Sequence, residues 1–345
     1  RPRGRFRFGL PVAQVEELFG SLKSERAVSL IAIHAHGIPH VFPVAAEAEA
    51  NAAKPATLEG DREDWRKLPL VTIDGETAKD FDDAVYCERH GKGFRLVVAI
   101  ADVSHYVREG SALDKDAYER GTSVYFPERA VHMFPEALAT GLCSLNPHVD
   151  RLVQSCVMDV DRHGQVVRYE MHDGVINSNA RMTYTAVNAI VTDRDPAVMA
   201  EYAPLVPMFT LMHELFEILN ARRRRRGAID FDLPEAEVHL TEFGQIEAIV
   251  ASERNVAHRI IEEFMLLANE TVAAHLEKVR MPALYRIHEP PDPMKVAEFQ
   301  EFVSTLGYSL EGGDLEPRHF QKLVERIHGK PEEKPIAFLL LRTMQ

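Results

Sequence analysis

At 345 residues the chain is too long for one ordinary domain and suits one large domain with a small one. An apolar share of 46% with 27% charged residues is that of a soluble globular protein, and no run of 18 apolar residues occurs, which excludes a membrane-spanning helix. Acidic residues exceed basic ones by 13, which argues against a broadly basic nucleic-acid surface but leaves room for one basic channel.

Arg1-Pro2-Arg3-Gly4-Arg5 lacks the apolar core of a signal peptide. With no initial Met and an abrupt stop at Met344-Gln345, the chain reads as a piece of something longer. Cys87, Cys143 and Cys156 are odd in number and form no CxxC pair, so a disulfide scaffold or zinc ribbon is not expected. Three small buried thiols in a reducing cytoplasm fit instead.

In chain order, residues 1–45 are expected to form short strands. Val28–Ile33 is β-rich, and Gly37-Ile38-Pro39 reads as a turn before His40-Val41-Phe42, as in part of a small β-barrel. Residues 46–64, rich in Ala, Glu and Asn, read as a linker or a poorly anchored helix. A second composition starts at Trp65. Leu68–Ile73 is an apolar strand ending in the turn Asp74-Gly75. Ala84–Cys87 and Phe94–Val103 read as strands joined by a hairpin at His90-Gly91-Lys92-Gly93, the second buried on both faces. Gln154–Val160 and Val166–Val175 form a further pair. From about Pro204 the spacing turns helical: Leu211, Leu215, Ile218 and Leu219 precede the basic run Arg222–Arg226. Val256–Leu276 and the stretch with Phe299, Phe302, Val303 and Leu306 read as further helices. Strands followed by helices predict an α+β domain rather than a doubly wound sheet.

The sharpest feature is Asp74-Gly-Glu-Thr-Ala-Lys-Asp80-Phe-Asp82-Asp83: four aspartates within ten residues, flanked by apolar strands. In extended chain Asp80 and Asp82 project to one side about 6.6 Å apart, and the Gly75 turn can return Asp74 to the group. Carboxylates so close raise each other's pKa, and a divalent cation relieves that repulsion. Three readings compete: a solvated acidic turn, a calcium loop, and a Mg²⁺ site for phosphoryl chemistry. The calcium reading wants alternating ligands followed by Gly, which Asp80-Phe-Asp82-Asp83-Ala84 lacks. Two Mg²⁺ ions on such carboxylates suit phosphodiester hydrolysis.

The segment Val71–Val85 resembles the catalytic signature of the ribonuclease II/ribonuclease R (RNB) family. The likeness runs through Val98-Ala-Ile-Ala-Asp-Val-Ser-His-Tyr-Val107, Gly121-Thr-Ser-Val-Tyr-Phe-Pro127, Gly141-Leu-Cys-Ser-Leu-Asn-Pro147, Ala180-Arg-Met-Thr-Tyr184, Arg254-Asn-Val-Ala-His-Arg-Ile-Ile-Glu-Glu263 and Arg286-Ile-His288. The Thr-Ser-Val-Tyr-Phe-Pro and Ser-Leu-Asn-Pro forms resemble the ribonuclease R branch. The resemblance implies a partial cold-shock/OB-type β domain over 1–45, a linker over 46–64 and an RNB catalytic domain, a mixed sheet packed with helices and lacking its C-terminal part, over 65–345. It implies a processive Mg²⁺-dependent 3′→5′ exoribonuclease (with Mn²⁺ an alternative) that releases nucleoside 5′-monophosphates from single-stranded RNA 3′ ends in the cytoplasm, acting as a monomer without a membrane.

By the same resemblance Asp74, Asp80 and Asp83 chiefly ligate metal, and Asp82, also in the metal set, is the carboxylate most critical to chemistry. Tyr125 matches an aromatic that stacks on the terminal base and Phe231 the opposing one; stacking suits a nonspecific nuclease because every base has a π-face. On the residues alone, core packing is the plainer reading of Phe231. Tyr184 matches an aromatic tied to RNA selectivity. Glu262, with Glu263 as its neighbour, matches a carboxylate near the terminal ribose, whose 2′-hydroxyl separates RNA from DNA. His258, four residues before Glu262, reads as an ordinary helix-face partner. Arg222–Arg226 is read either as a solvated helix end complementing the dipole or as a phosphate contact. The family's catalytic arginine lies in a Ser-Pro-Ile-Arg segment that this sequence does not contain, so weak activity of the chain alone is expected. Two other readings are an RNA-binding relative with impaired chemistry and a small-molecule phosphohydrolase; the four aspartates oppose the first and the family likeness the second.

Overall fold

The computed structural model describes residues 15, 25–230, 236–241, 245–252, 254–310 and 316–344. The first elements are α1 (Glu25–Ala35), α2 (Val44–Ala52), β1 (Glu63–Trp65), β2 (Val71–Asp74), β3 (Asp83–His90) and β4 (Gly93–Ala101). Then come α3 (Val103–Tyr106), α4 (Ala112–Arg120), β5 (Val124–Phe126), β6 (Arg129–Val131), β7 (Asp150–Val160), β8 (Val166–Asn177) and β9 (Ala180–Thr183). The chain continues through α5 (Tyr184–Asn188), α6 (Pro196–Glu201), α7 (Val206–Arg226), β10 (Ala236–Leu240), β11 (Ile246–Ala251) and α8 (Val256–Lys278). It ends with α9 (Pro293–Thr305), α10 (Pro317–Ile327) and α11 (Glu333–Thr343).

The chain forms two compact units. The larger comprises residues 54–105, 140–235 and 253–345. Its sheet has seven strands in the order β1-β8-β7-β4-β3-β2-β9. The outer pairs β1–β8 and β2–β9 are parallel and the inner pairs antiparallel, so the sheet is mixed as expected. β4 lies at its centre and is apolar and almost wholly buried, which explains its lack of alternation. The hairpin into β4 needs glycine at 93: a Cβ there would stand 2.1 Å from the Val160 carbonyl oxygen.

α7 lies against β3, and α8 against β4 and β7. Both helices bury an apolar stripe: Phe209, Met212, Leu215, Phe216 and Leu219 from α7, with Ile260, Ile261, Phe264, Leu267 and Ala268 from α8. Each fully buried large side chain contributes about 1.5–3 kcal/mol. An exposed pair such as Arg89–Glu214, which also joins β3 to α7, contributes about 0–1 kcal/mol. Apolar burial therefore places the helices. α7 ends at Gly227 in the left-handed conformation (φ 97°), where the backbone of Arg318 leaves no room for a Cβ. A satellite core joins α9, α10 and α11 through Phe299, Val303, Phe320, Leu323, Ile327, Ile336 and Leu340. All three cysteines are free and buried, as expected. Among the described residues no helix is long and apolar enough to cross a membrane.

The smaller unit comprises residues 1–53, 106–139 and 236–252. It holds α1, α2, α4 and the hairpins β5–β6 and β10–β11. The strand expected over Val28–Ile33 is a helix instead. Ala27, Ser29 and Ile33 are buried, the last two one helical turn apart, while the β-branched Val28 and Ile31 face outward, so packing overrides β propensity. No strand occurs among the described residues of 25–45. Within 46–64 the helical alternative holds as far as Ala52, anchored by buried Ala46 and Ala50. Glu49 ties α2 to α4 by accepting from the backbone N–H groups of Ala112 and Leu113, each at 3.0 Å.

Candidate metal centre

β2 ends at Asp74 and its antiparallel neighbour β3 begins at Asp83, so the two strand ends meet at one edge of the sheet. The connection between them carries Asp80 and Asp82 and is held on three sides. The Ser144 hydroxyl, fully buried, donates to the Lys79 carbonyl (2.8 Å) and accepts from the Phe81 N–H (3.0 Å). Leu145 N–H donates to the Phe81 carbonyl and Ala101 N–H to the Asp82 carbonyl, both at 2.9 Å. From β9, Arg181 Nη2 donates to the carbonyls of Gly75 (3.1 Å) and Glu76, with its guanidinium over the buried Phe81 ring. The turn that returns Asp74 toward the other aspartates is thus clamped from an adjacent strand.

The four carboxylates share one field. Asp74 is pushed up to about 6, first by burial and then by the charges of Asp82 and Asp80, against a lowering pull from Arg181. Asp83 is pushed up to about 7 by burial, then by Asp74 and Asp82. Asp74 Oδ2 is buried with no hydrogen-bond partner among the described residues. An acceptor-only oxygen in that state, amid like charges, fits a hard divalent cation with oxygen ligands. No ready-made coordinating group of three occurs among the described residues; the carboxylates are electrostatically coupled without being gathered onto one point. Behind them the Cys143 thiol is pushed up to about 12 by burial and by Asp82 and Asp102, so it stays protonated.

Tyr184 stands beside this cluster. It follows Thr183, which pairs with Asp74 in the β2–β9 register. Its phenol is pushed up to about 12 by burial and by the charges of Asp74 and Asp83. Its ring stacks on His258 at a centroid separation of 3.8 Å. His258 thus makes a contact across elements. Glu262 instead receives Arg254, from Nη2 at 2.6 Å and Nε at 3.2 Å, with Arg223 at 3.5 Å. Glu263 is buried and pairs with Arg223 at 2.6 Å. The basic run at the end of α7 is largely engaged within the protein. Arg222 donates to the Gly164 carbonyl, Arg224 pairs with Glu325 and Arg226 with Glu270.

The larger unit thus brings together Asp74, Asp83, Tyr184 and the segment with Asp80 and Asp82, with Glu262 one turn beyond His258 on α8. Tyr125 belongs to the smaller unit, where it is 64% exposed on β5 and meets His132 edge-on. Phe231 lies outside the described residues. Arg181 and Ser144 carried no signal of their positioning contacts in the sequence; Asn255, a helix N-cap ahead of an apolar run, was open to being read as one.

The RNB domain model matches residues 62–345. Ribonuclease R of Escherichia coli (strain K12) is 43% identical over 339 residues, covering 97% of this chain and 42% of that protein. Ribonuclease R of Aquifex aeolicus is 44% identical over 336 residues, covering 96% and 48%. The structure of Mycoplasma genitalium RNase R in complex with ribose methylated single-stranded RNA superposes with a TM-score of 0.88 at 28% identity, over 96% of this chain and 52% of that one. The chain spans less than half the length of these two curated relatives. On the extent of the domain match and the likeness of sequence and fold, the chain belongs to the RNB domain family.

Proposed function

We propose that this chain carries the catalytic centre of a cytoplasmic, processive 3′→5′ exoribonuclease that hydrolyses single-stranded RNA to nucleoside 5′-monophosphates with two Mg²⁺ ions. The observation that carries the reading is the coupled carboxylate set, with Asp74 Oδ2 buried and unpartnered. Asp74, Asp80, Asp82 and Asp83 would hold the metal. Bound there, Mg²⁺ supplies the positive charge that activates water and steadies the leaving oxygen. The chain's own residues fix the geometry: the sheet holds Asp74 and Asp83, Ser144 and Arg181 hold the connection, and Tyr184 walls one side. Tyr125 and Phe231 are proposed to stack on bases, and Glu262 to lie near the terminal sugar.

The test uses the full-length protein with 5′-labelled single-stranded RNA and Mg²⁺. The expected result is a ladder shortening from the 3′ end, abolished by chelation, with DNA of the same sequence degraded much more slowly. Binding without shortening would favour the RNA-binding relative with impaired chemistry, and internal cuts would sink the exonuclease reading.

Arg181 offers a second check. Arg181→Lys keeps a cation near Asp74 but reaches fewer carbonyls, since an ammonium lacks the guanidinium fork. Turnover is expected to fall about tenfold and the Mg²⁺ concentration for half-maximal rate to rise, as for loss of outer support at a metal site. An unchanged Mg²⁺ titration would show that Arg181 does not position the Gly75 turn.

A further inference from the structure

β3 leaves the aspartate cluster at Asp83 and ends at His90, so the turn that follows lies on the order of 23 Å away, at the opposite end of the sheet. Because β4 pairs with both β3 and β7, that turn, residues 90–93, is set beside the β7–β8 turn, residues 161–165. The two are packed without slack. A Cβ at Gly93 would meet the Val160 carbonyl oxygen, and one at Gly164 (φ 79°) would stand 3.2 Å from the Ile218 side chain of α7. At these turns lies an open pocket of about 460 Å³, lined by His90, Lys92, Asp159, Asp161, Arg162 and His163.

The charges of the pocket do not balance. Asp159 accepts from Arg95 Nε (2.8 Å) and Nη2 (3.0 Å), which holds its carboxyl below the usual range. Asp161 is lowered in the same way by the backbone N–H groups of Gln165 (2.9 Å) and His163 (2.8 Å), with the charge of Arg222 adding to the effect. Both carboxylates are therefore ionised and engaged, and Arg95 and Arg222, which offset them, lie outside the lining. Lys92 and Arg162 are left over. Both are exposed, and among the described residues neither has a carboxylate partner. The basic run at the end of α7 differs, with Arg223, Arg224 and Arg226 paired to Glu263, Glu325 and Glu270. Arg162 Nε donates to His163 Nε2 at 3.1 Å, which turns the guanidinium side-on and directs its two amino groups elsewhere. An ammonium and a guanidinium fork in one pocket suit phosphate oxygens.

The occupant follows from how these cations are held. Two exposed side chains grip an isolated phosphate weakly, because water and salt screen each contact. A nucleic-acid strand already held elsewhere on the protein presents its phosphates at high effective concentration, so the same two contacts add to its affinity. The chain carries a net charge of −13, so most of its surface repels a polyanion and this pocket attracts one. We propose that Lys92 and Arg162 form a second contact for the phosphate backbone of single-stranded RNA, gripping upstream nucleotides while the 3′ end lies at the aspartates. The contact reads neither base nor sugar. The proposal rests on the exoribonuclease reading above, which supplies the ligand.

The full-length protein is titrated with single-stranded RNAs about 30 and about 4 nucleotides long, in chelator and over a series of salt concentrations. Lys92→Gln combined with Arg162→Gln is expected to weaken binding of the longer RNA about tenfold at low salt. The slope of log affinity against log salt should shrink by about 1.4, two contacts at about 0.7 each. Affinity for the shorter RNA, which cannot reach from the aspartates to the pocket, stays within about twofold. Lys92→Arg combined with Arg162→Lys keeps both charges and is expected to keep the slope. An unchanged slope in the Gln variant, or an equal loss on both lengths, would overturn the proposal. Inorganic phosphate that binds the unsubstituted protein at micromolar concentration but not the Gln variant would overturn it in favour of a small-anion site. Loss of polyglutamate binding with RNA binding intact would overturn it in favour of an acidic protein partner. If the unsubstituted protein with Mg²⁺ does not shorten RNA from its 3′ end, the exoribonuclease reading itself has failed, a result distinct from the binding slopes.

Discussion

Replacing Asp82 by asparagine is expected to lower the rate of RNA hydrolysis on the order of 10³-fold or more while leaving RNA affinity within about threefold. The substitution changes charge and hardly changes shape. The Asp82 backbone is pinned by Ala101 N–H at 2.9 Å, so the variant keeps its place at the sheet edge. What it loses is the charge that both Asp74 and Asp83 respond to, which makes Asp82 the carboxylate common to the group. Affinity is spread over several nucleotides and does not depend on one anionic side chain, which in the metal-free protein repels phosphate. Single-turnover cleavage of 5′-labelled RNA gives the rate, and a binding titration of the same RNA gives the affinity. Near-normal turnover would remove Asp82 from the chemistry.

Asp83→Asn is expected to separate stability from activity in the opposite direction: cleavage is lost, yet the metal-free protein melts higher by about 3–6 °C near pH 8. Asp83 at about 7 and Asp74 at about 6 both lie above the ordinary carboxyl value of 3.8. A carboxyl whose folded pKa is raised stabilises the fold fully below its unfolded pKa, and that contribution disappears as pH rises through the folded value. The metal-free melting temperature should therefore lose this contribution progressively from about pH 4 to about pH 8, with the two groups titrating as a coupled unit. Millimolar Mg²⁺ should remove most of that fall by binding the ionised folded form. In Asp83→Asn the fall should be smaller and Mg²⁺ should raise the melting temperature less. Thermal melts in chelator and in Mg²⁺ across this range check all three statements. A variant that melts below the unsubstituted protein at pH 8 would show that burial and the neighbouring charges do not penalise the ionised Asp83.

Much of the larger unit was legible from residue order. Val98–Ala101 reads as a doubly buried strand because its apolar run admits no polar face, and it is the central strand of the sheet. Ile260, Phe264 and Leu267 lie on one helical stripe and are all buried. The smaller unit was less legible. Val28–Ile33 has strand composition, but its fate depended on which residues found a partner surface, and Ala27 and Ile33 did. The site divides in the same way. Four aspartates crowded between apolar strands announce a charge problem by themselves, whereas the groups that hold them do not. Arg181 is one arginine among many until the parallel pairing of β2 and β9 sets it opposite Thr72, within reach of the Gly75 and Glu76 carbonyls. His258 looked like a neighbour of Glu262 along a helix; the approach of α5 to the start of α8 turned it toward Tyr184.

The sequence by itself determined the chemistry available and the family: a dense carboxylate set, a matching run of motifs, and alternating and helical patterns that fix an α+β domain. Those are properties of local composition and spacing. Only the tertiary structure decided which carboxylates are buried into mutual repulsion, which arginines are consumed in ion pairs, and which ring lies against Tyr184. Those outcomes depend on desolvation and on contacts between segments distant in sequence, and neither is written in the order of residues along a single strand or helix.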